Sequence, residues 1–369
     1  MKKLTLLITL CLLFSFNAYG ATPTISSYED GVITCANAGT KSPASPVLWS
    51  QFDNGVADGL LSADANWPKY SGGNEGALYS SDNAYSGTMS AYNYVESNDL
   101  TQSVGRSGFD TNYHTIETPA DTLYVFHKYK YIQVGSSGEG AYGIGKQTRL
   151  NSSIAAGGGG IYNGSGDSGW TNINFFYGGS GYVCFNNGSI VETIGWSTAQ
   201  QNTWSTLEML TELSTAGIDD GLVMYDNVGI NKVLSDSCIN RATGEIFKKD
   251  TVILGLMFAN ISTLPSSKVE MWIDDVYIDI TRARVMIGDN AVYANCTNRE
   301  IQIPTAWATD EVTVTENDGA FTAGDTAYLF VINSDGEVSD GFEFVLGGIT
   351  TITTSLTGNA TITGNVSFD

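Results

Sequence analysis

The stretch VEMWIDDVYID, Val269–Asp279, sets two adjacent aspartates, Asp274 and Asp275, beside Trp272. Val, Ile and Tyr around them favour β structure. The period-two pattern, with no helical spacing, predicts a strand. Successive side chains of a strand point to opposite faces, so Asp274 and Asp275 are not a side-by-side carboxylate pair. Alternation puts Trp272, Asp274, Val276 and Ile278 on one face and Ile273, Asp275 and Tyr277 on the other. Apolar residues on both faces imply a strand covered on both sides.

The same rhythm recurs outward from this stretch. Glycine is abundant and proline scarce (42 and 7 residues), and short apolar or alternating runs are separated by Gly/Asn/Asp/Ser turns, the pattern of an all-β sandwich. Strands are predicted over 123–134, 143–150, 172–178, 181–187, 205–213, 222–227, 251–259 and 269–278. The glycine-rich segment 155–169 has no Gly-Lys-Ser/Thr ending and no helix after it, so it reads as a loop and not a phosphate cradle. A boundary falls near Thr281. Beyond it, NSDGEVSDGFEF (333–344) carries an Asp-Gly hairpin turn between strands. The Thr-rich residues 349–369 fit either an added strand or a disordered tail.

Lys2 and Lys3, the apolar run LTLLITLCLLF (4–14) and Ala18-Tyr19-Gly20 read as an export signal. The run is shorter than the ~20 residues of a membrane span. The expectation is a signal peptide over 1–20, bacterial export to the cell surface or medium, and no transmembrane segment after cleavage. The formal net charge is -22. So acidic a surface repels phosphate backbones and excludes nucleic acid as a partner. It also disfavours anionic polysaccharides unless a basic groove or bound cations intervene. Beyond the leader lie Cys35, Cys184, Cys238 and Cys296, an even number that in an exported chain reads as disulfides, with three connectivities open. Zinc is poorly served, with no Cys-x-x-Cys spacing and only His114 and His127.

Residues 49–280 resemble a concanavalin A-like jelly roll, the frame of bacterial lectins, glucanases and polysaccharide lyases. The resemblance rests on WSQFDNG (49–55), SDNAYSGTMSAY (81–92), NTWSTLEMLTELSTAGIDDG (202–221) with LVMYDNVGINKV (222–233), and WIDDVYI (272–278). The part after Thr281 resembles an IPT/TIG-type immunoglobulin-like domain whose opening strands are missing there. They appear instead as TPTISSYEDGVITCANAGTKSPASP (22–46). The resemblance therefore implies a jelly-roll domain (47–282) inserted into a discontinuous immunoglobulin-like β-sandwich (21–46 and 283–348), followed by the tail 349–369. It also implies a Cys35–Cys296 bridge, leaving Cys184 and Cys238 for the jelly roll. Jelly-roll carbohydrate modules often hold a structural Ca²⁺, and the resemblance maps its ligands to Asp53 and Asp274.

Glucanases of this fold pair acids on one strand. Here Glu270 and Asp274 would stand roughly 13 Å apart along a strand, beyond the ~5 Å of a retaining pair and the inverting range. Lyases instead neutralise a uronate carboxylate and remove the adjacent proton. His127, Tyr129, Tyr131 and Gln133 alternate on one face of a predicted strand, and Gln147 and Arg149 follow on the next. An even antiparallel register would bring all six to one face, whereas an odd one would put Lys146 and Thr148 beside His127. Leu123 and Val125 share that face, so His127 equally fits an ordinary core position. Glycan binding asks for aromatic platforms with amides and hydroxyls around them. Trp67, Tyr70, Tyr131, Trp170 and Trp196 are the candidates, while Trp204 and Trp272 sit inside strand patterns and fit the core.

The reading is an exported, acidic, all-β protein that recognises a poly- or oligosaccharide without catalysis or serves surface adhesion. The alternatives are a polysaccharide lyase using His127, Tyr129, Gln147 and Arg149, and a structural cell-surface or matrix protein. Oligomeric state leaves no trace in the sequence.

Overall fold

The computed structural model describes residues 21–68, 77–96, 109–134, 144–152, 171–176, 180–185, 189–195, 202–241, 243, 246, 248–259 and 268–347. The leader, the glycine-rich segment 155–169 and the tail 349–369 lie outside them. The first strands are β1 (Thr24–Glu29), β2 (Val32–Ala36), β3 (Leu48–Ser50), β4 (Leu78–Ser80), β5 (Ser90–Glu96), β6 (Phe109–Ala120) and β7 (Thr122–Val134). Next come β8 (Ile144–Asn151), β9 (Thr171–Phe176), β10 (Ser180–Phe185), β11 (Ser189–Gly195), β12 (Ser205–Glu212), β13 (Gly221–Asn227) and β14 (Asn231–Cys238). The last are β15 (Lys249–Ala259), β16 (Lys268–Asp279), β17 (Arg284–Gly288), β18 (Arg299–Trp307), β19 (Glu311–Thr315), β20 (Thr326–Ile332) and β21 (Phe342–Val345). The chain is all-β, and among the described residues no helix is long and apolar enough to cross a membrane.

An eight-stranded sheet (β14-β13-β12-β7-β16-β5-β4, with β3 on β16) stacks on a six-stranded one (β11-β10-β9-β8-β15-β6), giving a jelly-roll sandwich. Leu123, Val125, Met209, Tyr225 and Met271 from the first sheet meet Ile116, Leu150, Val252 and Leu254 from the second in one core. A seven-stranded sheet, β1-β2-β19-β18-β17-β20-β21, forms the second unit. The β1–β2 hairpin joins it through the pairs Thr34–Glu311, Ile33–Val312 and Val32–Thr313, so residues from the two ends of the chain share one sheet.

β7 is buried on both faces, which explains its near-continuous apolar pattern. Leu123, Val125 and Tyr129 point into the jelly-roll core. Tyr124 and Phe126 point the other way, against Met286, Ile301 and Phe330 of the second unit. The charged side chains on this covered face pair across the junction. Lys128 meets Glu300 at 2.9 Å, Glu208 meets Arg299 at 2.9 Å and Arg284 at 3.1 Å, and Asp226 meets Arg299 at 2.7 Å. Lys41 meets Asp279 at 2.6 Å, both side chains fully buried, near the point where the chain passes between the units.

β16 departs from the alternation expected of it. Asp275 adopts φ 48°, in the left-handed region, and the register against β7 shifts between Asp274 and Tyr277. This β-bulge inserts a residue and reverses the parity of the strand beyond it. Met271, Ile273, Val276 and Ile278 therefore share the jelly-roll core, and Tyr277 faces the second unit. Trp272 does not share a face with Val276 and Ile278. It packs on Tyr92 at 5.1 Å and its indole N–H donates to Ser80 Oγ at 3.4 Å.

The expected cysteine pairing is also corrected. Cys35, Cys238 and Cys296 are buried free thiols. Cys35 lies in the core of the second unit and Cys296 in the layer between the units, so no Cys35–Cys296 bridge forms. Cys238 lies in the jelly-roll core, and nothing is described of the Cys184 side chain.

Removing one member of a buried ionic group strands its partners, at a cost of about 3–5 kcal/mol. Glu208→Gln takes the paired carboxylate from Arg284 and leaves Arg299 with Asp226 alone, and it is expected to lower the urea-unfolding free energy by that amount. Glu212 pairs with a partly exposed Arg282, and Glu212→Gln should cost no more than about 1 kcal/mol.

Candidate functional site

The lyase constellation does not assemble. β7 and β8 belong to opposite sheets and do not pair. His127 and Tyr129 are fully buried. The His127 Nε2 lies 2.9 Å from the Thr148 hydroxyl of the facing sheet, inside the sandwich. Burial pushes the His127 imidazole down to about 4, against the Lys128 carbonyl contact that raises it, so it is neutral at pH 7. The Tyr129 hydroxyl donates to Asn227 Oδ1 at 3.2 Å. Arg149 neighbours Thr148 and Leu150 on β8 and therefore belongs to the other face of that sheet, away from the core. There it pairs in register with Ile253, and Ile253 with Tyr113 on β6. The Gln147 side chain is outside the described ones.

The expected aromatic platforms also move. Trp67 is 1% exposed and Tyr131 8% exposed, and both belong to the jelly-roll core. Tyr70, Trp170 and Trp196 lie outside the described residues. Among the described residues Trp204, whose strand pattern fits the interior, stands instead at an opening.

Trp204 lies just before β12, after Asn202 in a left-handed turn with φ 62°. It lines a cleft of ≈ 250 Å³ between the two units, with Tyr85, Lys128, Thr203, Thr206 and Asn298 among the other walls. The Trp204 and Tyr85 rings meet edge to face at 5.5 Å. The β13–β14 turn closes one side. Gly229 there has φ +74° and comes so close to Thr297 that a Cβ would lie 3.1 Å from both its Cα and its carbonyl oxygen.

Lys128 forms the floor. Its ammonium donates to Thr206 Oγ1 at 2.7 Å, to the Arg299 carbonyl at 2.9 Å and to Asn298 Oδ1 at 3.3 Å, besides pairing with Glu300. It also sits 4.6 Å from the Tyr85 ring centre, a cation–π contact. The Tyr85 hydroxyl donates to Glu300. Burial, then the Glu300 charge, pushes that hydroxyl far above its ordinary range.

The aspartates of the opening stretch anchor the loop that carries Tyr85. Asp274 Oδ2 accepts the Tyr85 N–H at 2.8 Å and the Ser86 N–H at 3.3 Å. Asp275 accepts the Ser86 hydroxyl and the Asn317 amide of the second unit at 3.3 Å. Burial, then the Asp275 charge, pushes the Asp274 carboxyl up to about 8, against the N–H donors that lower it. Asp53 Oδ1 accepts the Thr88 and Met89 N–H groups at 2.7 and 2.9 Å. Both expected calcium ligands thus receive backbone N–H groups that would point at a cation. Calcium takes 6–8 oxygens, and no metal-holding group of three His, Cys, Asp or Glu occurs among the described residues. The residues present do not fit the ion.

No protein family matches the chain, and no curated protein matches it. Solved structures give distant similarities. The marine alginate lyase of Aplysia kurodai is 12% identical, with 57% of this chain and 90% of that one covered and a TM-score of 0.41. An endo-β-1,4-glucuronan lyase from the fungus Trichoderma reesei is 14% identical over 61% and 94%, with a TM-score of 0.42. An endo-1,3-β-glucanase from Streptomyces sioyaensis is 12% identical over 69% and 99%, with a TM-score of 0.40.

Asp274 yields a pH prediction. An unfolded aspartate titrates near ~3.9, so between there and about 8 the folded protein keeps a proton that the unfolded chain releases. The stability this group contributes is fully present below the lower value. It falls by up to ~1.4 kcal/mol per pH unit as pH rises and is lost above the upper value. Urea unfolding between pH 5 and 8 should show the decline, and Asp274→Asn should flatten it.

Proposed function

We propose that the chain is an exported protein that recognises a poly- or oligosaccharide without cleaving it, and that the junction cleft is where it does so. The observation that carries this reading is Trp204, a half-buried indole at a cleft that also offers Tyr85, Thr203, Thr206 and Asn298. An aromatic platform beside amides and hydroxyls is the chemistry of sugar recognition. The seven-stranded unit is an immunoglobulin-like module of the TIG type, with the jelly roll inserted between its β2 and β17. Its shared sheet supports this division, and a spacer or adhesion role on the cell surface fits it. The apolar leader supports export.

A second reading, β-elimination on a uronate polymer, draws on one row of the six-stranded sheet. Tyr113 and Arg149 flank Ile253 there, two strand spacings or about 10 Å apart. A tyrosine to move the proton and a guanidinium to neutralise the carboxylate are the parts this chemistry needs.

A glycan array separates these readings. Hits that vanish with Trp204→Ala and persist with Arg149→Ala are expected, together with no rise in absorbance near 235 nm on uronate polymers. A rise at that wavelength that Arg149→Ala abolishes would replace recognition with elimination. Hits indifferent to Trp204→Ala would exclude the cleft as the binding site.

A further inference from the structure

We propose that the junction cleft takes a single uncharged pyranose ring and that this ring bridges the two β units. The inference rests on the recognition reading above and specifies its ligand. Size sets the first limit. A cleft of ≈ 250 Å³ is smaller than the ~300–1,000 Å³ of pockets for drug-sized ligands, so it suits one ring and not a run of sugars.

Charge sets the second limit. Lys128 is the only cation among the described residues of the lining. An ammonium has three protons, and this one already faces four acceptors, one of them the Glu300 carboxylate. It has no proton left for a ligand carboxylate, sulfate or phosphate. Glu300 itself lies just beneath, so a second anion would meet repulsion. A uronate is therefore disfavoured in this cleft, whatever binds elsewhere.

The remaining groups suit hydroxyls. Neither Trp204 Nε1 nor Asn298 Nδ2 has a hydrogen-bond partner among the described residues, and the Thr203 side chain is exposed. These groups offer two N–H donors and a hydroxyl around an aromatic surface, a match for a ring with one apolar face and equatorial hydroxyls. Thr203 and Trp204 come from the jelly roll, whereas Thr297 and Asn298 precede β18 of the second unit. A ring held by both sets bridges the junction, so its binding free energy adds to the stability of the junction by mass action.

The test uses the full chain with methyl pyranosides of uncharged hexoses and with methyl glucuronoside, read by ligand-observed NMR and by the thermal midpoint. Saturable binding of an uncharged pyranoside is expected, with a raised midpoint and about tenfold weaker binding of the glucuronoside. Trp204→Ala and Asn298→Ala should each weaken binding by about tenfold or more. Asn298 is half-buried, so its variant reports even where the tryptophan variant fails to fold. Equal affinity for the glucuronoside overturns the uncharged class. Binding that survives both substitutions overturns the site. If no single pyranoside binds while array hits still vanish with Trp204→Ala, the single-ring inference is overturned and glycan recognition at the cleft stands.

Discussion

Glu208 is fully buried with two guanidiniums and the Tyr124 hydroxyl around it. Burial alone would raise its carboxyl, but Arg299 and Arg284 outweigh burial and hold it below its ordinary range. A charge taken out of water is tolerable only where opposite charges and hydrogen bonds replace the lost hydration. The consequence here is geometric. Glu208 and Asp226 are fixed on β12 and β13, and Arg284 and Arg299 on β17 and β18, so the pairs specify how the second unit sits on the jelly roll. Lys128 with Glu300 and Lys41 with Asp279 add further points of registration. An apolar interface alone would favour contact without fixing orientation, because hydrophobic attraction is non-directional.

The cleft is a by-product of that docking. Its floor, Lys128, is one of the junction charges, and its walls come from segments held by others. The bulge at Asp275 brings two carboxylates to the loop that carries Tyr85. One holds that loop's backbone, and the other reaches both Ser86 and Asn317. The aspartate pair is structural. It positions an aromatic wall of the cleft.

The β-rich architecture was legible because period-two runs and glycine turns are local signals. The run 205–213, for example, appears as β12 (Ser205–Glu212). The predicted Asp-Gly turn is present too, with the Gly336 N–H donating to the Asn333 carbonyl at 3.0 Å. Pairing was less legible. Sequential strands are spatial neighbours in many folds, and His127 would share a face with Arg149 only if their strands paired in an even register, whereas β7 and β8 lie in opposite sheets. The parity reversal in β16 hinges on one left-handed residue, which the alternation could not reveal. The cleft was hidden because its parts are scattered from Tyr85 to Asn298 and only meet through docking. One local clue existed: Asn202 is a turn-former, so Trp204 stands at the edge of its strand and not within it.

Charge pairing thus fixes the docking, docking makes the cleft, and the cleft presents Trp204. The most direct test is amide hydrogen exchange on the intact chain with and without a glycan that it binds. Slowed exchange at 202–206, 228–230 and 297–298 is the predicted result. Slowing confined to β8 and β15, with the junction segments unchanged, would contradict it.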